Sequence, residues 1–261
     1  MVVATENLER SGLMSGSDQA YVVGQIQPAL EEITISEFFA RTVSRYPDRE
    51  ACIFCQSGER WTWSQLSQKV DQLAAGLLAL GVYKGDRVGI WSPNKPEWVL
   101  AQFATARIGA ILVNINPAYR RAELKYALVK VGVKVLITAG SFKTSNYLEM
   151  LTDLIPELAT CRPERLSSPE FPLLRSIIQI GVASHSGMFC FQEIIEKGTT
   201  AYLARVDGIS RKLFLDESIN LQFTSGTTGA PKAATLTHKN IVNNARFVAE
   251  SMQLTQKDKL C

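Results

Sequence analysis

The chain contains 261 residues, 46% of them hydrophobic, which is long enough for one large or two ordinary domains with a buried core. Its 28 lysine and arginine residues nearly balance 25 aspartate and glutamate residues, and this balance excludes the electrostatic surface of a nucleic-acid-binding protein. The longest apolar run covers residues 108–115, far short of the roughly 18 residues of a membrane helix, so we expect a globular protein without a transmembrane segment and with a small-molecule substrate.

Residues 1–30 mix Gly, Ser, Gln and Glu without lasting periodicity, so we predict a poorly ordered leader and a domain that starts at residue 31. The first twenty residues hold one basic residue, Arg10, against three acidic ones, a composition that fits neither a secretory signal nor an arginine-rich transit peptide. The cysteines form an odd, unevenly spaced set, as expected for reduced thiols: Cys52, Cys55, Cys161, Cys190 and Cys261. Together these features predict a cytoplasmic protein.

The first ordered elements are a predicted helix over residues 36–45 and two strands over residues 51–55 and 60–63, around a Ser-Gly turn. Cys52 and Cys55 lie three positions apart on the first of these strands, where side chains three apart point to opposite faces. We therefore predict small buried side chains here and no metal site.

The clearest helix follows these strands. Its apolar residues repeat at alternating steps of four and three: Leu66, Val70, Leu73, Leu77 and Leu80. Thr62, followed three residues later by Gln65, predicts the start of the helix as a capping box, and Gly81 predicts its end. This spacing places one apolar face against a core.

Strands and helices then alternate. The predicted elements are a strand over residues 87–91, a helix over 96–107, a strand over 110–115, a helix over 122–130 and a strand over 134–138. Asn94, followed three residues later by Glu97, predicts a capped start for the first of these helices, with Pro96 in its first turn. Strand followed by helix, repeatedly, predicts an α/β fold with a doubly wound, mostly parallel sheet and flanking helices.

The second half of the chain has weaker patterns. We predict a helix over residues 146–155, a strand over 176–180 and a short helix over 191–197. Residues 198–217 carry no strong periodicity and are interpreted as a surface connection.

A stretch rich in glycine and hydroxyl groups follows a predicted strand at residues 219–223 and precedes a predicted helix over about 239–252. Its residues are Thr224, Ser225, Gly226, Thr227, Thr228, Gly229, Ala230, Pro231 and Lys232. Glycines let backbone N–H groups converge on an anion, hydroxyls add donors and the lysine ammonium neutralises phosphate charge, so the layout favours phosphate binding. The spacing of the glycines does not match a Walker A loop, which disfavours a P-loop NTPase. Composition alone fits a flexible, hydroxyl-rich turn equally well.

Two histidines, His185 and His238, are candidates for further site residues. His238 begins the helix after this stretch and is interpreted as an ordinary surface or capping group, because histidines in a first turn usually play that role. His185 has no acidic or nucleophilic neighbour in the sequence, so we predict a solvated loop residue.

The stretch from Phe223 to Lys232 resembles the signature phosphate loop of the adenylate-forming superfamily, which includes the acyl-CoA synthetases and other AMP-binding enzymes. The resemblance covers roughly residues 34–260 and extends through four further stretches: Trp-Thr-Trp at 61–63, Gly-Asp-Arg-Val at 85–88, Asn-Lys-Pro-Glu-Trp at 94–98 and Asn-Pro-Ala-Tyr-Arg at 116–120. The last of these is most similar to the branch that acts on medium- and long-chain fatty acids. Ala233 departs from the pattern, because the family usually has glycine there; a backbone with positive φ at this position would cost roughly 1 kcal/mol.

The resemblance implies a reaction in two steps. ATP and a fatty acid form an acyl-adenylate and pyrophosphate, and the thiol of coenzyme A then displaces AMP. Residues 224–232 would hold the β- and γ-phosphates of ATP, with Mg²⁺ sharing the charge. The family's later elements do not occur in these residues, so the resemblance implies an incomplete N-terminal domain of an acid–thiol ligase. The alternative is a non-catalytic remnant that binds phosphate or a partner.

Overall fold

The computed structural model of the protein describes residues 28–181, 183, 185–224 and 231–261. The chain divides into two compact units, residues 1–32 and 33–261. The predicted leader over residues 1–30 lies almost wholly outside the described residues and stays a prediction.

The helices of the second unit flank one large sheet. They are α1 (Ile35–Arg45), α2 (Trp63–Ala79), α3 (Pro96–Ile108), α4 (Arg121–Val131), α5 (Tyr147–Leu154), α6 (Phe191–Lys197), α7 (Thr200–Ser210) and α8 (His238–Ser251). The strands are β1 (Glu50–Phe54), β2 (Glu59–Thr62), β3 (Arg87–Trp91), β4 (Ile111–Ile115), β5 (Val133–Thr138), β6 (Ser141–Phe142), β7 (Ser145–Asn146), β8 (Ser176–Gln179), β9 (Phe189–Cys190), β10 (Ser218–Thr224) and β11 (Lys232–Thr237).

In the described part of the chain, seven strands form the large sheet in the order β11-β10-β4-β3-β5-β8-β9. All neighbouring strands in it run parallel except β10 and β11, which are antiparallel. After β3, the chain places β4 on one side of β3 and then β5 on the other side. The direction in which strands are added therefore reverses at β3, in the middle of the sheet. Ligands of such sheets bind beyond the carboxyl ends of the strands.

Helices cover both faces of this sheet, which confirms the doubly wound α/β prediction. Val88 and Ile90 of β3 belong to one buried cluster together with α2 and α3. Trp91 of the same strand belongs to a second cluster together with α4 and α5. Successive residues of a strand point to opposite faces, so the alternation along β3 divides the core into these two layers.

Helix α2 forms as its sequence predicts. Leu66, Val70, Leu73 and Leu77 are all buried against the core. The Thr62 hydroxyl accepts the backbone N–H of Gln65 at 3.2 Å, and the Gln65 side chain accepts the backbone N–H of Thr62 at 2.9 Å. Gly81 follows the helix with φ of 77°, a left-handed conformation that favours glycine.

Helix α3 starts differently from the prediction. Its N-cap is Lys95, without a side-chain hydrogen bond, and not Asn94. Pro96 occupies the first turn, where a missing N–H leaves one fewer donor to cap. The proline therefore starts the helix without help from an Asn94 cap.

The prediction of a surface connection over residues 198–217 is wrong, because α7 lies within it. Val206 of α7 is buried, and the Arg107 side chain of α3 forms ion pairs with Asp71 of α2 at 2.7 Å and Asp207 of α7 at 3.1 Å. The helix has no side-chain cap at Thr199 and few buried residues, so its sequence carries little of the periodicity on which prediction depends.

The Cys52–Cys55 pair is only partly as expected. Cys52 is half-buried within β1, and burial raises the pKa of its thiol. Cys55 lies just after the end of β1 and is exposed, so the prediction of a buried side chain is wrong for this residue. The strand ends one residue earlier than its sequence suggested.

Candidate functional site

The predicted phosphate-binding stretch connects two antiparallel strands. β10 and β11 pair from Ser218 and Thr237 to Thr224 and Lys232. The predicted helix is present as α8, but the layout of strand, loop and helix is wrong, because the strand β11, which begins at Lys232, lies between the loop and α8. Lys232 consequently does not lie at the N-terminus of α8, and the helix dipole of α8 acts at the opposite end of β11.

The hairpin brings the two ends of the stretch together. Thr224 is the last residue of β10, Lys232 is the first residue of β11, and both are exposed. The Thr224 hydroxyl donates to the Lys232 carbonyl at 3.4 Å. Pro231 immediately precedes Lys232, whereas Ser225, Gly226, Thr227, Thr228, Gly229 and Ala230 lie outside the described residues.

Ala233 takes an ordinary strand conformation. It pairs with Phe223 in the β10–β11 ladder and packs against the second core cluster. Ala233 is not among the described residues with positive φ. The strain considered for an alanine at this position is therefore absent.

Two tyrosines contact the base of the hairpin. The hydroxyl of Tyr126, on α4, donates to the carbonyl of Pro231 at 3.1 Å. The ring of Tyr119 meets the ring of Phe223 edge to face, with centroids 6.4 Å apart. Burial raises the pKa of Tyr119, and the neighbouring Glu123 and Tyr126 raise it further. Sequence reasoning missed Tyr126, because only the tertiary fold brings α4 beside the hairpin.

A cavity of about 850 Å³ opens between α1, α3, α8 and the β10–β11 hairpin. Its lining includes Phe38, Phe103 and Ile241 on the helices, and Asn220 and Gln222 on β10. Asn220 is 1% exposed, and its Nδ2 has no hydrogen-bond partner among the described residues. Gln222 stands two residues before Thr224, so the cavity reaches the strand that carries the candidate phosphate loop.

The interpretation of His238 as a surface or capping group is wrong. The residue is fully buried, and its Nδ1 accepts the backbone N–H of Ile35 at 3.2 Å. Burial lowers the pKa of His238 to about 4, while Glu217 and Glu37 act in the opposite direction. The ring is therefore neutral at pH 7 with its proton on Nε2, and this buried N–H has no partner among the described residues.

His185 lies in the loop before β9, as predicted for a loop residue, and is half-buried. Its backbone N–H donates to the Gln179 side chain at 2.9 Å. Within the described ranges, no group of three or more His, Cys, Asp and Glu residues is arranged to hold a metal ion. No helix within the same ranges has the length and hydrophobicity needed to span a bilayer.

Comparison with known proteins adds independent findings. A family model described as AMP-binding enzyme matches residues 39–261. The chain is 44% identical over 228 residues to the medium-chain acyl-CoA ligase ACSF2, mitochondrial, of Danio rerio, covering 87% of this chain and 38% of that protein. It is 41% identical over 239 residues to the protein of the same name from Homo sapiens, covering 91% of this chain and 39% of that protein. The chain thus spans about two-fifths of these relatives.

Two solved structures share the fold. A long-chain-fatty-acid-CoA ligase (FadD1) from Archaeoglobus fulgidus matches with a TM-score of 0.69 and 21% identity, over 92% of this chain and 44% of that one. The anthranilate CoA ligase AuaEII in complex with anthranoyl-AMP matches with a TM-score of 0.65 and 23% identity, over 80% of this chain and 35% of that one. These structural matches support the prediction of an adenylate-forming fold.

Proposed function

Because the chain belongs to the AMP-binding enzyme family, we propose that it forms the ATP-phosphate site of an acid–thiol ligase that activates a fatty acid. ATP and the carboxylic acid give an acyl-adenylate and pyrophosphate, and coenzyme A then displaces AMP to give a thioester. A free carboxylate is a poor electrophile, so the reaction needs AMP as a leaving group. The names of the Danio rerio and Homo sapiens relatives favour a medium-chain acid.

The observation that carries the proposal is the hairpin joining Thr224 to Lys232 at the carboxyl end of β10. This is the edge of an α/β sheet at which ligands bind. Thr224 and Lys232 stand side by side there, one with a hydroxyl and the other with an ammonium group. We assign residues 224–232 to the β- and γ-phosphates of ATP and to the departing pyrophosphate. Preorganised donors of this kind each contribute about 3 kcal/mol to a transition state.

Mg²⁺ enters this proposal as part of the substrate, bound to the ATP phosphates. The described residues offer no cluster of carboxylates to hold the ion by themselves. Lys232 shares with Mg²⁺ the task of neutralising the phosphate charge. Coenzyme A is proposed as a co-substrate because the two relatives are named as acyl-CoA ligases.

The cavity beside β10 is our candidate for part of the acyl-chain site. Its volume of about 850 Å³ falls within the range of ligand pockets, roughly 300 to 1,000 Å³. Aromatic and aliphatic walls suit an alkyl chain, and Asn220 and Gln222 put amide groups at the end nearer Thr224. A carboxylate placed there would face the phosphate loop.

A pair of lysine variants tests the phosphate assignment. Lys232→Ala should weaken pyrophosphate binding by at least tenfold in a calorimetric titration, because it removes the assigned counter-charge. Lys212→Ala removes an exposed lysine that lies after α7, and it should leave the affinity unchanged. Equal affinities for the two variants would remove the assignment.

The alternative function is a non-catalytic remnant that binds phosphate without turnover. The chain spans 38% and 39% of the two relatives compared above, so turnover by these residues alone is a separate question. ATP–pyrophosphate exchange with a medium-chain fatty acid separates the two functions. Exchange by the purified chain excludes the remnant, whereas pyrophosphate binding without exchange favours it.

The cytoplasmic location predicted from the first twenty residues stays a prediction. The two relatives compared above are named as mitochondrial proteins. Cell fractionation with an antibody against this chain distinguishes the two compartments.

A further inference from the structure

The hydrogen bond from Tyr126 to Pro231 joins α4 to the residue just before Lys232. Pro231 has no backbone N–H, so its carbonyl is the only hydrogen-bonding group on its own backbone. That carbonyl belongs to the same planar peptide unit as the N–H of Lys232. A contact that fixes the direction of the Pro231 carbonyl therefore also fixes the direction of the Lys232 N–H.

The other strand of the hairpin is held from the same side. Phe223, which precedes Thr224, packs against Tyr119, two residues before the start of α4. Phe223 pairs in turn with Ala233, which follows Lys232. Both ends of residues 224–232 are thus tied to one short stretch of chain, residues 119–126.

We propose that Tyr126 is a positioning residue for the phosphate loop: its hydroxyl holds the Pro231–Lys232 peptide so that Lys232 leaves the hairpin in the orientation that meets phosphate. This inference rests on the function proposed above. Without the hydroxyl, the peptide can rotate about the flanking single bonds, and Lys232 must be ordered at the moment of binding. The entropy lost in ordering Lys232 then lowers the affinity for pyrophosphate.

A conservative pair of variants separates positioning from simple stabilisation. Tyr126→Phe removes only the hydroxyl that reaches Pro231. Tyr147→Phe is the control, because the Tyr147 hydroxyl also donates to a proline carbonyl, but to that of Pro117 and not to one in the hairpin. Both variants should lower the unfolding temperature, and Tyr147→Phe at least as much, because Tyr147 is fully buried whereas Tyr126 is half-buried. Only Tyr126→Phe should weaken pyrophosphate binding, by about fivefold, which corresponds to the loss of one ordinary hydrogen bond.

A double-mutant cycle adds a measurement of affinity that a merely stabilising role of Tyr126 would not change. If Tyr126 acts through Lys232, Tyr126→Phe should change pyrophosphate affinity by less than twofold in a Lys232→Ala background. Additive effects of the two changes, or equal affinities for Tyr126→Phe and Tyr147→Phe, would overturn the inference. A wild-type chain that fails to bind pyrophosphate would instead overturn the proposed function, and this outcome is visible before any variant is measured.

Discussion

His238 makes folding stability depend on pH between about 6.5 and 4. In the unfolded chain the imidazole titrates near pH 6.5, whereas in the folded protein burial lowers its pKa to about 4. Between these values the unfolded state binds more protons, so stability is fully present above pH 6.5 and is lost as pH falls. The two pKa values give a loss of about 2 kcal/mol between pH 7 and pH 5.

His238→Asn is the variant that isolates this effect. Asparagine does not titrate, and its side-chain oxygen replaces the Nδ1 acceptor that receives the Ile35 N–H. The variant loses packing at every pH, but its free energy of unfolding should fall less steeply on acidification. The difference between wild type and variant should shrink by about 2 kcal/mol from pH 7 to pH 5 in urea titrations.

His185→Asn is the control for this experiment, because the chain contains only these two histidines. It tests whether the altered pH dependence is specific to position 238. The carboxylates Glu217 and Glu37, whose charges favour protonated His238, are retained in all three proteins. Parallel pH profiles for wild type and His238→Asn would refute the reasoning, as would an imidazole pKa near 6.5 measured by NMR.

Three further predictions concern stability and can be read from urea unfolding. Gly76→Ala should lower the free energy of unfolding by about 1–3 kcal/mol, because the added Cβ would lie 2.0 Å from the Ile194 carbonyl oxygen. Gly208→Ala in α7, where an added Cβ has nothing within 4 Å, should raise the free energy of unfolding by up to about 1 kcal/mol. A rise in both variants would contradict the packing of Gly76 against Ile194. Thr62→Ala should cost about 1 kcal/mol by removing the capping box of α2, and an unchanged midpoint would show that the box contributes nothing. Ala233→Gly, which restores the residue usual in the family, should destabilise by about 0.5–1 kcal/mol, because Ala233 is extended; stabilisation would instead reveal backbone strain.

Much of the fold was predictable where a local pattern and a local cap agree. Helix α2 has both the apolar repeat of Leu66 and its successors and the reciprocal bonds between Thr62 and Gln65. The alternation of strand and helix from β3 to β5 was likewise enough to predict a parallel sheet with helices on both faces. Each of these signals lies within a few residues of the element that it predicts.

The predictions are wrong where contacts between residues far apart in the sequence determine the structure. Strand β11 holds two alanines and begins with Lys232, a composition with little strand preference, and it exists because β10 offers a partner. His238 is buried because the N-terminus of α1, about two hundred residues earlier, lies against it. The phosphate-binding role of residues 224–232 stays a prediction from residue types, whereas the contact from Tyr126 depends on the tertiary fold.

The attachment of β10 to the rest of the sheet has a consequence for the order of assembly. β10 pairs with β4 through three residues, Asn220 to Gln222, whereas β3 and β4 pair through five. More than a hundred residues separate β10 from β4, so closing that loop carries a large entropic cost, while the β10–β11 hairpin forms from neighbours in the chain. The hairpin is therefore expected to form early and to join the sheet late, so the proposed phosphate site would be complete only after this docking step.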